Sequence, residues 1–157
     1  MIEADDELVT ELLGRPPSAA YVVELRRADG TPVVIRNAPF LHDGTPMPTT
    51  YWLVDRELVR RIGRLENEGG VKAAEAAVDP TALRAAHAEY AARRDATIPG
   101  THVGPRPSGG VGGTREGVKC LHAHYAAFLV GTGDPVGRWI EERLRATADA
   151  ATARGTE

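Results

Sequence analysis

Tyr21-Val22-Val23-Glu24-Leu25-Arg26 and Pro32-Val33-Val34-Ile35-Arg36 stand either side of Asp29-Gly30. Two β-branched runs around an Asp-Gly pair specify an antiparallel hairpin, because glycine supplies the positive φ of the reversal without a Cβ clash. Downstream, Asn37-Ala38-Pro39 and His42-Asp43-Gly44-Thr45-Pro46-Met47-Pro48 form a stretch stiffened by three prolines. It leads into Thr49-Thr50-Tyr51-Trp52-Leu53-Val54, read as a third strand. Upstream, Leu8, Val9, Leu12 and Leu13 keep helical spacing until Gly14, a good C-terminal cap, and Arg15-Pro16-Pro17 stops that helix.

The rest of the chain reads as helices. Asp55 can cap a helix over Arg56–Glu66, whose Leu58, Ile62 and Leu65 form a buried stripe. Glu57 and Arg61 stand four apart in the favourable order for an ion pair. A short alanine-rich piece, Val71 to Val78, follows Gly69-Gly70. Asp79-Pro80 and Asp134-Pro135 both read as N-cap and first helical residue. The first opens a helix to about Asp95; the second opens one that carries Val136, Ile140 and Leu144 on one side. The expected fold is α+β: one domain over residues 1–148, an antiparallel sheet of about three strands, about four helices on one sheet face, and a frayed tail over 149–157. An exposed sheet edge would favour a homodimer.

Composition narrows the class of protein. The chain has 157 residues, a net charge of −3 and 26% charged residues. That size supports one core, and the charge is too small to force disorder. No run of about 18 apolar residues is present, so no membrane span is expected. The acidic start, Met1-Ile2-Glu3-Ala4-Asp5-Asp6-Glu7, is unlike a signal peptide. A single cysteine, Cys120, excludes an internal disulfide and fits the cytoplasm. Neither the charge balance nor the aromatic pattern points to nucleic acid.

The most distinctive stretch is Gly104-Pro-Arg-Pro-Ser-Gly-Gly-Val-Gly-Gly-Thr-Arg-Glu-Gly117. Glycines let backbone N–H groups turn toward a ligand, and a following helix N-terminus adds unpaired donors. Arg106, Ser108, Thr114, Arg115 and Lys119 would add side-chain donors matched to phosphate or carboxylate, with backbone N–H groups of Gly109, Gly110, Gly112 and Gly113 beside them. It is not a P-loop: after Gly112-Gly-Thr-Arg-Glu-Gly117 the lysine comes one position late and the hydroxyl is missing. It also fails the dinucleotide fingerprint. The plainer alternative is a flexible surface loop or lid.

Lys119-Cys120-Leu121-His122-Ala123-His124-Tyr125 follows. On a helix begun at Val118, Cys120 and His124 lie about 40° apart and share a face, while His122 lies about 160° from Cys120 and packs inward. Three readings stay open. Cys120 and His124 could be two ligands of a soft metal completed by His87, His102 or a second chain. Cys120 could be an activated nucleophile, with His124 or His122 as acid/base. All three could be packing residues, as His87 is expected to be. Because a self-contained metal site needs more ligands than the helix offers, the chain is expected to fold without metal and no cofactor is assigned. Tyr51 and Trp52, with His42 and Asp43 nearby, are expected to anchor a strand or line a pocket.

Asp43-Gly-Thr-Pro-Met-Pro-Thr-Thr-Tyr-Trp-Leu53, Arg64-Leu-Glu66, Gly117-Val-Lys-Cys-Leu-His-Ala-His-Tyr-Ala126 and Asp134-Pro-Val-Gly137 together resemble a mainly actinobacterial family, domain of unknown function 501. The resemblance runs from about Leu13 to Trp139. It implies a small intracellular protein and no particular activity. Genes of the family often stand beside an exopolyphosphatase-like gene and a cell-division gene, a faint pointer to phosphate chemistry. Relatives often carry a cysteine in the first strand; here that region reads Leu25-Arg26-Arg27, which weakens a shared metal site. The leading expectation is therefore a small anionic ligand at the glycine/arginine loop beside the Cys/His helix. The rival is a non-catalytic interaction module acting through the Arg56–Glu66 helix, which would show a flat exposed apolar patch.

Overall fold

A computed structural model describes the backbone of residues 2–155 and the side chains of residues 5–148. The chain runs α1 (Ile2–Leu13), β1 (Ala19–Arg26), β2 (Pro32–Leu41), β3 (Tyr51–Leu53), α2 (Arg56–Asn67), α3 (Gly70–Ala77), α4 (Pro80–Asp95), a 3-10 turn (Val111–Gly113), α5 (Leu121–Leu129) and α6 (Pro135–Gly155). This is α+β, about 49% helix and 15% strand. The frayed tail expected over 149–157 falls on residues whose side chains, and at 156–157 backbone, lie outside the described set.

The hairpin forms at the expected place. Gly30 has φ +91°, its N–H donates to the Arg27 carbonyl, and Arg27 N–H donates to the Thr31 carbonyl at 2.8 Å. Val23 then faces Ile35 across the β1–β2 pair, and Ile35 faces Trp52 across the β2–β3 pair. The sheet is antiparallel in the order β1-β2-β3. β2 continues through Pro39 to Leu41, where a second Asp-Gly turn at Asp43-Gly44 reverses the chain. The stretch read as proline-stiffened connector is thus partly strand and turn, with Phe40 bridging Pro46.

Helices cover both faces of the sheet, not one. Val34, Tyr51 and Leu53 join the main core with α2 to α6. Ile35 and Val54 form a second cluster with Val9, Leu12 and Leu13 of α1. Asp55 caps α2 by accepting the Leu58 N–H, and Asp79 caps α4 by accepting the Ala82 N–H. Asp134 caps α6 in the same way, through Gly137 N–H at 2.9 Å. The expected Glu57–Arg61 pair gives way to tertiary partners: Glu57 lies 3.8 Å from Arg27, and Arg61 donates to the Leu144 carbonyl. α5 and α6 cross closely because residue 137 is glycine; a Cβ there would stand 2.1 Å from Cβ of Phe128.

The buried side chains of α4 are Leu83, His87, Tyr90 and Arg94, one stripe at heptad-like spacing. Three of the four are polar, and each bonds to backbone outside the helix. The Tyr90 hydroxyl oxygen accepts from Thr50 N–H and Tyr51 N–H at 2.7 and 3.0 Å. Arg94, 1% exposed, donates to the carbonyls of Pro48, Gly109 and Pro107 and to Asp95. His87 takes the Val111 N–H on Nδ1 and donates from Nε2 to the Gly117 carbonyl. Burial depresses its pKa, and this bonding pattern suits the neutral ring.

Candidate functional site

These tethers decide what the glycine-rich segment is. His87 and Arg94 bind its backbone, Glu75 accepts the Val118 N–H at 2.9 Å, and Gly110 packs so closely on His87 that a Cβ would lie 2.5 Å from the histidine Cβ. The segment is held on α4 instead of hanging as a free lid. Several of its N–H groups are engaged internally: Gly110 donates to the Thr114 carbonyl at 2.7 Å and Gly113 to the Gly110 carbonyl at 3.0 Å. The Thr114 hydroxyl donates to the Glu116 carbonyl.

Two cavities flank the segment, and they divide the residues expected to bind an anion. An open groove of about 500 Å³ along α4 takes Ser108, Gly109, Gly110 and Arg115, with Arg84 opposite and Asp95 and Glu116 in the same lining. A second cavity of about 400 Å³ lies between β3 and the start of α5. It takes Gly112, Lys119, Cys120 and His122, against Tyr51, Trp52 and Leu53. Arg106, Gly113 and Thr114 line neither.

The Cys/His segment is arranged differently from the helical expectation. α5 begins at Leu121, and Cys120 is its N-cap with extended dihedrals, φ −142° and ψ 119°. Stepping 100° per residue from a helix start at Val118 therefore misplaces Cys120 relative to both histidines. Cys120 and His122 come together, Sγ to Nδ1 at 4.0 Å. His124 is fully buried on the other side, with Nδ1 2.8 Å from Oδ2 of Asp134 and its ring edge-on to His87. The expected pairing of Cys120 with His124, and the inward packing of His122, are both overturned. Nor can the two spare imidazoles complete a site with Cys120 as placed: His87 has both ring nitrogens bonded, and His102 stacks on Phe40 with Nε2 at the Pro105 carbonyl.

The partner that sequence reasoning missed is Glu66, from the end of α2. Its Oε1 lies 3.3 Å from His122 Nδ1, and its Oε2 accepts the Leu121 N–H at 3.0 Å. The far ring nitrogen, Nε2, donates to the Val59 carbonyl at 3.0 Å. The His122 pKa is pushed up to about 9, first by the bond to Cys120, with the Val59 carbonyl and the Glu66 carboxylate adding to it. Burial works to raise the Cys120 thiol, but bonding to His122 and to the Ala123 N–H outweighs it, and the thiol sits below its ordinary value. Chemically, the site offers a polarised thiol and an imidazole in the lining of an apolar cavity that Lys119 also lines, with the Glu66 carboxylate against the imidazole.

The chain belongs to the family described as Protein of unknown function (DUF501), whose model matches residues 23–142. No curated protein and no solved structure matches it. Among the described residues no helix is long and apolar enough to cross a membrane.

Proposed function

We propose that the protein binds a small ligand with an apolar body and one anionic end in the cavity between β3 and the start of α5. The observation that carries this reading is the lining. Tyr51, Leu53 and Ala123 are buried residues that give apolar walls, Trp52 adds an aromatic one, and Lys119 stands among the polar groups. A volume of about 400 Å³ suits a small molecule, and few converging polar groups on apolar walls are the usual makeup of such sites. Lys119 would hold a carboxylate or phosphate as a point charge.

The groove along α4 supports an anion less well. Asp95 and Glu116 offset Arg84 and Arg115 there, and neighbouring backbone donors are already used. An interaction surface on α2 has less support, since Val59 is the one exposed large apolar side chain of that helix among the described residues. The exposed large apolar side chains among the described residues are Val22, Val59 and Val103, on three separate segments.

The test is calorimetry, with Trp52 fluorescence as a second readout, against phosphate, polyphosphate, nucleotides and aromatic or aliphatic carboxylates. The expected result is quenching by an apolar-tailed anion and about tenfold weaker binding in Lys119→Ala, roughly 1.4 kcal/mol, with Arg115→Ala unchanged. Binding lost in Arg115→Ala but kept in Lys119→Ala would move the ligand to the α4 groove and overturn the reading. No binding of any probe would also overturn it.

A further inference from the structure

We propose that Glu66, Cys120 and His122 hold one divalent cation of borderline softness, zinc by preference, with its remaining coordination position open to the β3–α5 cavity. The donor set is the first ground. Sγ, Nδ1 and a carboxylate oxygen from three side chains all lie within 4.8 Å of one another. Thiolate, imidazole and carboxylate together select zinc over magnesium or calcium, which prefer oxygen alone.

Distance is the second ground. Zinc–ligand bonds of about 2.0–2.3 Å put tetrahedral neighbours about 3.3 Å apart for nitrogen and oxygen and about 3.6 Å apart for nitrogen and sulfur. The imidazole–carboxylate separation here is 3.3 Å and the imidazole–sulfur separation is 4.0 Å. Closing the second gap takes a small rotation of the Cys120 side chain, which is only partly buried.

The outer partners are the third ground. A zinc-bound histidine normally donates its other ring N–H to a carbonyl or carboxylate, which fixes the tautomer and aims the free lone pair at the metal. His122 makes this outer bond through Nε2 and the Val59 carbonyl, which leaves Nδ1 for the metal once the ion displaces its proton. A ligating carboxylate is normally hydrogen-bonded on its other oxygen, as Glu66 is by Leu121 N–H. Both ligand orientations are therefore set by backbone of neighbouring elements. Three protein ligands with an open side are the arrangement of a reactive zinc site, whereas structural sites close with four. The open side meets the same cavity lined by Lys119 and Trp52, so an anionic end placed there could bind the ion directly.

The experiment titrates purified, metal-stripped full-length protein with Co²⁺, and then with Zn²⁺ to displace it, in the absence of any organic ligand. The outcome does not depend on the cavity having an organic ligand. Expected are one equivalent of Co²⁺ per chain, a sulfur-to-cobalt charge-transfer band with tetrahedral visible bands, and loss of both when one equivalent of Zn²⁺ is added. Cys120→Ser should abolish the charge-transfer band. Glu66→Gln keeps an oxygen to accept from Leu121 N–H, so the fold is preserved, and should weaken Co²⁺ at least about tenfold. His102→Ala should bind as wild type. Absence of a charge-transfer band in wild type, or wild-type affinity in both Cys120→Ser and Glu66→Gln, would overturn the proposal.

Discussion

Replacing Arg94 by methionine tests the claim that α4 holds the glycine-rich segment in place. The substitution keeps a long unbranched side chain but removes hydrogen bonds to Gly109 O at 2.9 Å, Pro48 O at 3.1 Å, Asp95 Oδ1 at 3.0 Å and, more weakly, Pro107 O at 3.4 Å. Each bond from a charged donor contributes about 1.5–3 kcal/mol. Burying the guanidinium costs several kcal/mol in return, so the gross sum is not the net effect. Losing the donor costs about 1–3 kcal/mol for each carbonyl left unsatisfied, while the half-exposed Asp95 carboxylate returns to water, so a net loss of about 3–5 kcal/mol is expected. At about 2–4 °C per kcal/mol for a chain of this size, the melting temperature should fall by about 6–20 °C. Denaturant unfolding should show a lower midpoint at unchanged slope. Amide exchange should accelerate first in residues 105–117, with α6 protected as in wild type. Arg94→Lys should fall between, since one ammonium cannot serve the whole fork of acceptors. A loss below about 1 kcal/mol, or exchange rising evenly over the molecule, would refute the tethering argument.

Gly137→Ala would stabilise an ordinary helix interior by about 0.5–1 kcal/mol. Here the new methyl would enter Phe128 of α5, so a net loss of about 1–3 kcal/mol is expected from denaturant midpoints. Tyr90→Phe strips the acceptor from two buried backbone N–H groups and should cost about 2–4 kcal/mol by the same measurement. His87 makes stability fall in acid: its folded pKa lies below the ordinary 6.5, so the unfolded chain binds the proton more readily. Its contribution is complete above about pH 6.5 and is lost as the pH drops toward the folded value. His87→Gln should flatten that part of the pH–stability curve.

The elements that depend on neighbours in sequence were legible. Asp29-Gly30 announced the hairpin, and the three Asp caps announced α2, α4 and α6, because each signal and its partner lie within a few residues. Asp43-Gly44 carried the same signal as Asp29-Gly30 and was obscured by the prolines around it. The Cys/His geometry failed for a local reason as well: moving the helix start from Val118 to Leu121 exchanges the roles of His122 and His124. Glu66 and Arg94 were beyond reach, since a charged residue in a helix ordinarily faces water. Only the return of the chain 55 residues beyond Glu66 in one case, and from Pro48 and Gly109 in the other, gives them partners. The site was therefore half legible, its cysteine and histidine visible and its carboxylate not.

Every bond that α4 extends to the glycine-rich segment ends on main-chain atoms, and main-chain atoms are common to all residues. Tolerance to substitution should consequently be lopsided. His87, Tyr90 and Arg94 have specific atoms to offer, and few replacements supply them. Val111 and Pro107 are grasped by groups any residue would present, so their side chains answer only to packing. A saturation library read out by abundance should show intolerant positions concentrated on a helix that composition alone marks as unexceptional. The eye-catching loop should accept much wider change, apart from glycines such as Gly110 whose missing Cβ lets the histidine approach. Sequence drift could then remodel both cavity walls that the segment supplies without moving the backbone that supports them.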